Sequence, residues 1–152
     1  MTPIPITSGT SVNNNHEGPR EDDHGQGAED HGENTQPVRR RTPVCRSLLF
    51  TGTQVSRQQI LEAGESSNFN FGIVKFEAGS RNKFHKHSGD QILIVTEGTG
   101  KVVSDNESLT VTEGDVVVIP AGENHWHGAP DATAMAHITV TVKGSQTEQT
   151  EA

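Results

Sequence analysis

From Phe69 to Val142 the chain is a succession of short runs rich in β-branched and aromatic residues, each closed by a turn signal. Phe69–Phe76 ends at Ala78-Gly79, Gln91–Thr96 ends at Glu97-Gly98, and Asp115–Ile119 follows Glu113-Gly114 and stops at Pro120. Lys101–Val103 and Ser108–Val111 flank Asp105-Asn106, a pair suited to a hairpin turn. Met135–Val142 closes the series. Helical apolar spacing is missing, except that Ser56–Ala63 permits a turn or two of helix. So many short strands in roughly 80 residues predict an all-β antiparallel barrel or sandwich.

Two of the runs, Ile92-Leu93-Ile94-Val95 and Val116-Val117-Val118-Ile119, are apolar on both faces. An antiparallel strand with one wet face alternates, so both faces here are expected to be covered. The inner face fills the barrel; the outer face is expected to pack on a second copy, giving a homodimer or homotetramer. The last run alternates instead. Met135, His137, Thr139 and Thr141 fall on one side, opposite Ala136, Ile138, Val140 and Val142. With the polar side turned inward, His137 points into the barrel.

Residues 1–44 contain no Phe, Trp or Leu and are crowded with Asn, Gly, Pro, Asp and Glu. Such a segment buries too little apolar surface to offset the entropy of ordering, which predicts a disordered tail. The barrel is then expected over 45–145, with a disordered end at 146–152. Arg39-Arg40-Arg41 reads as a solvated linker, and His16, His24 and His31 are too widely spaced on a flexible tail for a preformed site. The net charge of −8 is shared by the tail (four basic, seven acidic residues) and the remainder (eight basic, thirteen acidic). That balance offers phosphates no basic face and argues against nucleic acid. The lone Cys45 fits a reducing, cytoplasmic location, and no apolar run is long enough to serve as a membrane span.

Five of the eight histidines fall between His85 and His137. Four residues there have metal-site spacing. Gly79-x5-His85-x-His87-x3-Gln91-x6-Gly98 is followed, after 15 residues, by Gly114-x5-Pro120-x-Gly122-x2-His125. A strand repeats every two residues, so His85 and His87 project from one face. Gln91 and His125 can complete the set once the chain folds back. Imidazole nitrogen with a neutral carbonyl oxygen suits a first-row divalent metal.

Those two motifs resemble both signature motifs of the cupin superfamily, and the resemblance covers 69–142. It implies a jelly-roll-type β-barrel with a metal inside. Where metal-binding cupins most often carry Glu, this chain has Gln91. An amide cancels no charge of the ion, which raises Lewis acidity and disfavours cycling to a trivalent state. The stretch from Pro120 to His137, with its His125-Trp126-His127, is similar to that of the small manganese-binding bacterial cupins that act as hydroxynitrile lyases. By that resemblance His85, His87, Gln91 and His125 hold the metal, with Mn(II) expected and Fe, Ni or Zn as alternatives. His127 and His137 line the pocket and move protons.

The implied function is metal-dependent cleavage or formation of a small cyanohydrin substrate. A metal-dependent dioxygenase acting on a phenolic or diketone substrate, and a non-catalytic binding cupin, are the alternatives. Strand alternation turns Trp126 and Lys86 away from the site. Phe71, Ile73, Leu93, Val95 and Met135 are candidates for an apolar pocket wall.

Overall fold

A computed structural model describes the backbone of Thr2–Pro5 and residues 49–52, 54–61 and 64–152. Cys45, the Arg39–Arg41 cluster and the three histidines of the tail lie outside the described residues.

All regular elements among the described residues are strands. They are β1 (Thr2–Pro5), β2 (Phe50–Thr51), β3 (Val55–Gln59), β4 (Phe69–Phe76), β5 (Ser80–Asn82) and β6 (His85–His87). There follow β7 (Gln91–Ser104), β8 (Ser108–Thr112), β9 (Asp115–Ile119), β10 (His125–Ala129), β11 (Met135–Val142) and β12 (Thr147–Gln149). Every pairing is antiparallel, and the strands wrap into a nearly closed barrel. One wall runs β1-β9-β7-β11-β4-β3; the other runs β12-β6-β10-β7-β8, with β5 and β2 continuing from β10. No helix among the described residues is long and apolar enough to cross a membrane.

The expected all-β barrel is therefore present, with several corrections in detail. The described part of the Ser56–Ala63 segment, residues 56–61, contains no helix: its first residues belong to β3, where Val55 is buried and Gln58 lies opposite Ile73 of β4. Pairing along β4 outweighs a weak local helical tendency. The end at 146–152 is not disordered, because Thr147–Gln149 pairs with β6. Its polar composition misled because backbone groups, and not apolar burial, hold it in place. Within the expected tail, the described Thr2–Pro5 pairs with β9. That edge position tolerates its two prolines.

The two runs Gln91–Thr96 and Lys101–Val103 turn out to be one strand, β7, shared by both walls. Its inward residues change parity along the way. Gln91, Leu93 and Val95 are buried before the bend, and Gly100, Val102 and Ser104 after it. The switch is a bulge: Val95 pairs with His137 and Glu97 with Ala136, leaving Thr96 as the extra residue. Gly98 follows at φ 74°, where an added Cβ would collide with the carbonyl of Ala134. Gly100 is needed for a different reason, since a Cβ there would overlap Met135 and the Gly128 carbonyl.

The core inside this shell contains Val55, Val74, Phe76, Leu93, Val95, Val102, Val117, Ile119 and Met135, all buried. Each such side chain contributes about 1.5–3 kcal/mol on burial. Leu93, Val95 and Met135 thus serve the core and not a pocket wall, and Ile73 lies half-buried on the outer face. That outer face is apolar in register. Ile138 lies opposite Ile73 and Ile94, Ile92 opposite Val140 and Val118, and Val142 opposite Phe69. Phe69, Ile92 and Val142 are exposed.

Candidate metal centre

β6 and β10 are neighbours, with His85 directly opposite His125. Alternation sends His85 and His87 to one side of β6 and Lys86 to the other, where it meets Glu148 at 3.2 Å. On β10 the same rule turns His125 and His127 inward and Trp126 outward, beneath the guanidinium of Arg81 at 5.1 Å. The ligand atoms of His85, His87 and His125 lie within 4.8 Å of one another.

The outer ring nitrogens fix which way the lone pairs point. His85 Nδ1 donates to the Lys83 carbonyl at 2.8 Å, and His125 Nδ1 to the Glu123 carbonyl at 2.9 Å. His87 Nδ1 meets the Thr147 hydroxyl at 2.9 Å. With the protons of His85 and His125 on Nδ1, their Nε2 atoms offer lone pairs to the interior, and a His87 that donates to Thr147 does the same. Gln91 is oriented likewise: its Nε2 donates to Thr139 Oγ1 at 2.9 Å, and its Oε1 faces His125 Nε2 at 3.0 Å. Two acceptors therefore face each other with no proton between them, and the buried His87 Nε2 has no hydrogen-bond partner. Buried acceptors left so are costly unless a cation satisfies them. The donor set of three imidazoles and one amide oxygen fits a divalent metal.

A second imidazole pair lies alongside. His137 Nε2 is 3.2 Å from His127 Nδ1, and Asn82 Nδ2 donates to His127 Nε2 at 3.0 Å. Asn82 Oδ1 is buried without a partner. Phe76 packs edge-on to His127 and stacks on His137, holding both rings. Burial disfavours the charged form of all five rings. It is the main reason that His85, His87, His125 and His137 are pushed down to about 4, with the neighbouring His125 adding to the effect on His85 and His85 to that on His87. His127 is also held well below its usual range, by burial and then by His137. All five are neutral at pH 7.

A cavity of about 210 Å³ opens on these groups. Five of the six expected site residues line it, namely His85, His87, Gln91, His127 and His137; His125, fully buried, lies behind with its ring tilted by 53° to that of His85 and the centroids 4.4 Å apart. Of the proposed apolar wall residues only Phe71 is present, joined by Leu49, Phe50 and Val74. Sequence reasoning missed Asn82, Thr139 and Thr147. Thr139 was within reach, being two residues beyond His137 on an alternating strand. Asn82 and Thr147 had no such signal, because only strand pairing brings them to the site.

This barrel and its histidine cluster define a cupin. A model of the cupin domain matches residues 72–142, and the chain belongs to that family. Over 92 residues, covering 60% of this chain and 70% of the relative, it is 38% identical to a Granulicella tundricola protein named (R)-mandelonitrile lyase. A cupin-like protein from Thermotoga maritima superposes with a TM-score of 0.68 at 32% identity, over 77% of this chain and 90% of that one. The polyketide cyclase RemF from Streptomyces resistomycificus shares the fold, with a TM-score of 0.66 at 14% identity, over 74% and 80% of the two chains.

Proposed function

We propose that this cupin is a metal-dependent lyase that cleaves, or in reverse forms, cyanohydrins of aromatic aldehydes. The observation that carries the reading is the coupled neutral pair His127–His137, buried beside a three-imidazole, one-amide site. The relative named (R)-mandelonitrile lyase supports the same class. The cavity is small and partly aromatic, through Phe50 and Phe71, which suits a one-ring substrate.

His85, His87, Gln91 and His125 would hold the metal, for which manganese(II) is the proposed ion. When bound it supplies Lewis-acid stabilisation of developing negative charge, and with no carboxylate in the set that charge is left undiminished. The remaining steps belong to the chain. The substrate hydroxyl donates to His127 Nε2 in place of Asn82 and gives up its proton there. The Nδ1 proton of His127 is shared with His137 Nε2 across 3.2 Å. The C–CN bond breaks, its electron pair leaving with cyanide as the hydroxyl carbon becomes the aldehyde. Cyanide then takes a proton from the imidazolium pair, which returns to neutral. Strong burial makes that imidazolium a ready acid, so the proton is not retained.

The test is anaerobic incubation of metal-loaded protein with mandelonitrile. Benzaldehyde and cyanide are expected in equal amounts, and none after metal removal. Turnover that requires oxygen, or no cleavage at all, rejects the reading.

The outer sheet face is the proposed contact between two copies of the chain. Its in-register apolar pairs, centred on Ile92 and Ile138, are neutral and self-complementary, as an isologous dimer requires. A tetramer would need a further contact.

A further inference from the structure

β6 is only three residues long yet carries two of the three clustered imidazoles. On one side it shares a single register pair with β10, His85 with His125. On the other it is paired along its whole length by β12: Thr147 with His87, Glu148 with Lys86, and Gln149 with His85. The final residues of the chain thus provide most of the ladder that makes β6 a strand.

Bonds at both ends fasten this segment. At its start Ser88 N donates to the Gln146 carbonyl and Gln146 N to Ser88 Oγ, both at 2.9 Å, while Gly89 N donates to Ser145 Oγ at 3.1 Å. At its end Glu151 forms a two-pronged ion pair with Arg81 at 2.8 and 2.9 Å. Glu151 also accepts from Phe84 N at 2.8 Å, and Thr150 N donates to the Phe84 carbonyl at 2.9 Å. Ser145 and Thr147 form part of the cavity wall.

Thr147 makes the connection chemical. His85 and His125 have carbonyls on Nδ1, which can only accept and therefore fix the proton there. His87 alone of the three has a hydroxyl partner, and a hydroxyl both donates and accepts. A His87 that donates to this hydroxyl presents Nε2 bare and inward, so Thr147 adds a directional bond to the ring contacts with His85 and His125.

We propose that the segment 145–151 is a strap on which metal binding depends, with Thr147 the positioning residue for His87. This rests on the reading that the three imidazoles hold a metal. Partners of this kind, one bond removed from the ion, alter affinity about 10- to 100-fold when lost.

The experiment titrates manganese(II) and zinc(II) into the metal-stripped full chain, with affinity read by chelator competition and the manganese environment by electron paramagnetic resonance. Thr147→Val is expected to bind both ions at least about tenfold more weakly. Thr147→Ser, which keeps the hydroxyl, should restore wild-type affinity and spectrum. Glu113→Gln, on the exposed turn between β8 and β9 and outside the strap, should leave both unchanged. Thr147→Val binding as tightly as wild type overturns the proposal while leaving the metal site standing. A wild-type chain that takes up neither ion overturns the metal reading and the strap with it.

Discussion

His125 Nε2 and Gln91 Oε1 approach to 3.0 Å as two lone-pair donors, because the Glu123 carbonyl and the Thr139 hydroxyl have drawn their hydrogens to the far ends. The pair is thereby preorganised for a cation, and Gln91 sets how much charge the cation keeps. Gln91→Glu would add a negative charge at the same place. We expect at least about tenfold tighter divalent binding, equivalent to about 1.4 kcal/mol, together with slower cleavage of mandelonitrile. Chelator competition and steady-state rates check the two effects, and tighter binding with undiminished rate would show that residual charge is not rate-determining.

His127 and His137 touch the cavity and each other but belong to the proton-handling part of the proposed mechanism. His127→Ala and His137→Ala should each retain metal, measured by elemental analysis, while kcat falls about 10²- to 10⁴-fold. Full turnover in both variants would remove these rings from the chemistry.

The Arg81–Glu151 ion pair gives an acid-dependent contribution to stability. Arg81, through its hydrogen bonds and together with the Phe84 amide, lowers the Glu151 carboxyl to about 2. A carboxyl depressed in the folded state stabilises fully above its usual value and loses that contribution as pH falls towards the depressed one. The window here is therefore from about 4.5 down to about 2. Both side chains are partly solvated, so about 1 kcal/mol is the expected scale. Urea melts of wild type and Glu151→Gln should differ at pH 7 and converge near pH 2; a constant difference would refute the linkage.

The apolar outer face predicts a dimer that a single charge can split. Ile92→Lys places an ammonium among Val118, Val140 and their neighbours. Light scattering should show a dimer for the wild type and a monomer for the variant, with the fold intact by circular dichroism. A wild-type monomer at micromolar concentration would dismiss this interface.

Much of this architecture could be read in the residues beforehand, for identifiable reasons. The spacing of His85, His87 and His125 survives folding because strand alternation is local and rigid. His137 was placed correctly by the same logic, since its strand alternates cleanly between polar and apolar residues. What escaped detection depends on long-range pairing. Thr147 reaches His87 across 60 positions of sequence, and Asn82 reaches His127 across 45. Nothing in the composition of 145–151 suggests order, because its bonds are made by backbone, hydroxyl and carboxylate groups. The helical tendency at Ser56–Ala63 failed for the same reason in reverse, a local preference overruled by β4.

The surplus residue at Thr96 gives β7 one place where the chain can be shortened without loss of register. Because the partner strand leaves Thr96 uncounted, removing it restores plain alternation and keeps Val102 and Ser104 facing in. Removing Gly100 with the kink in place would instead carry Lys101 and Val103 inward and expel Val102 and Ser104. A shortened barrel should therefore survive best when the cut falls at this exposed corner.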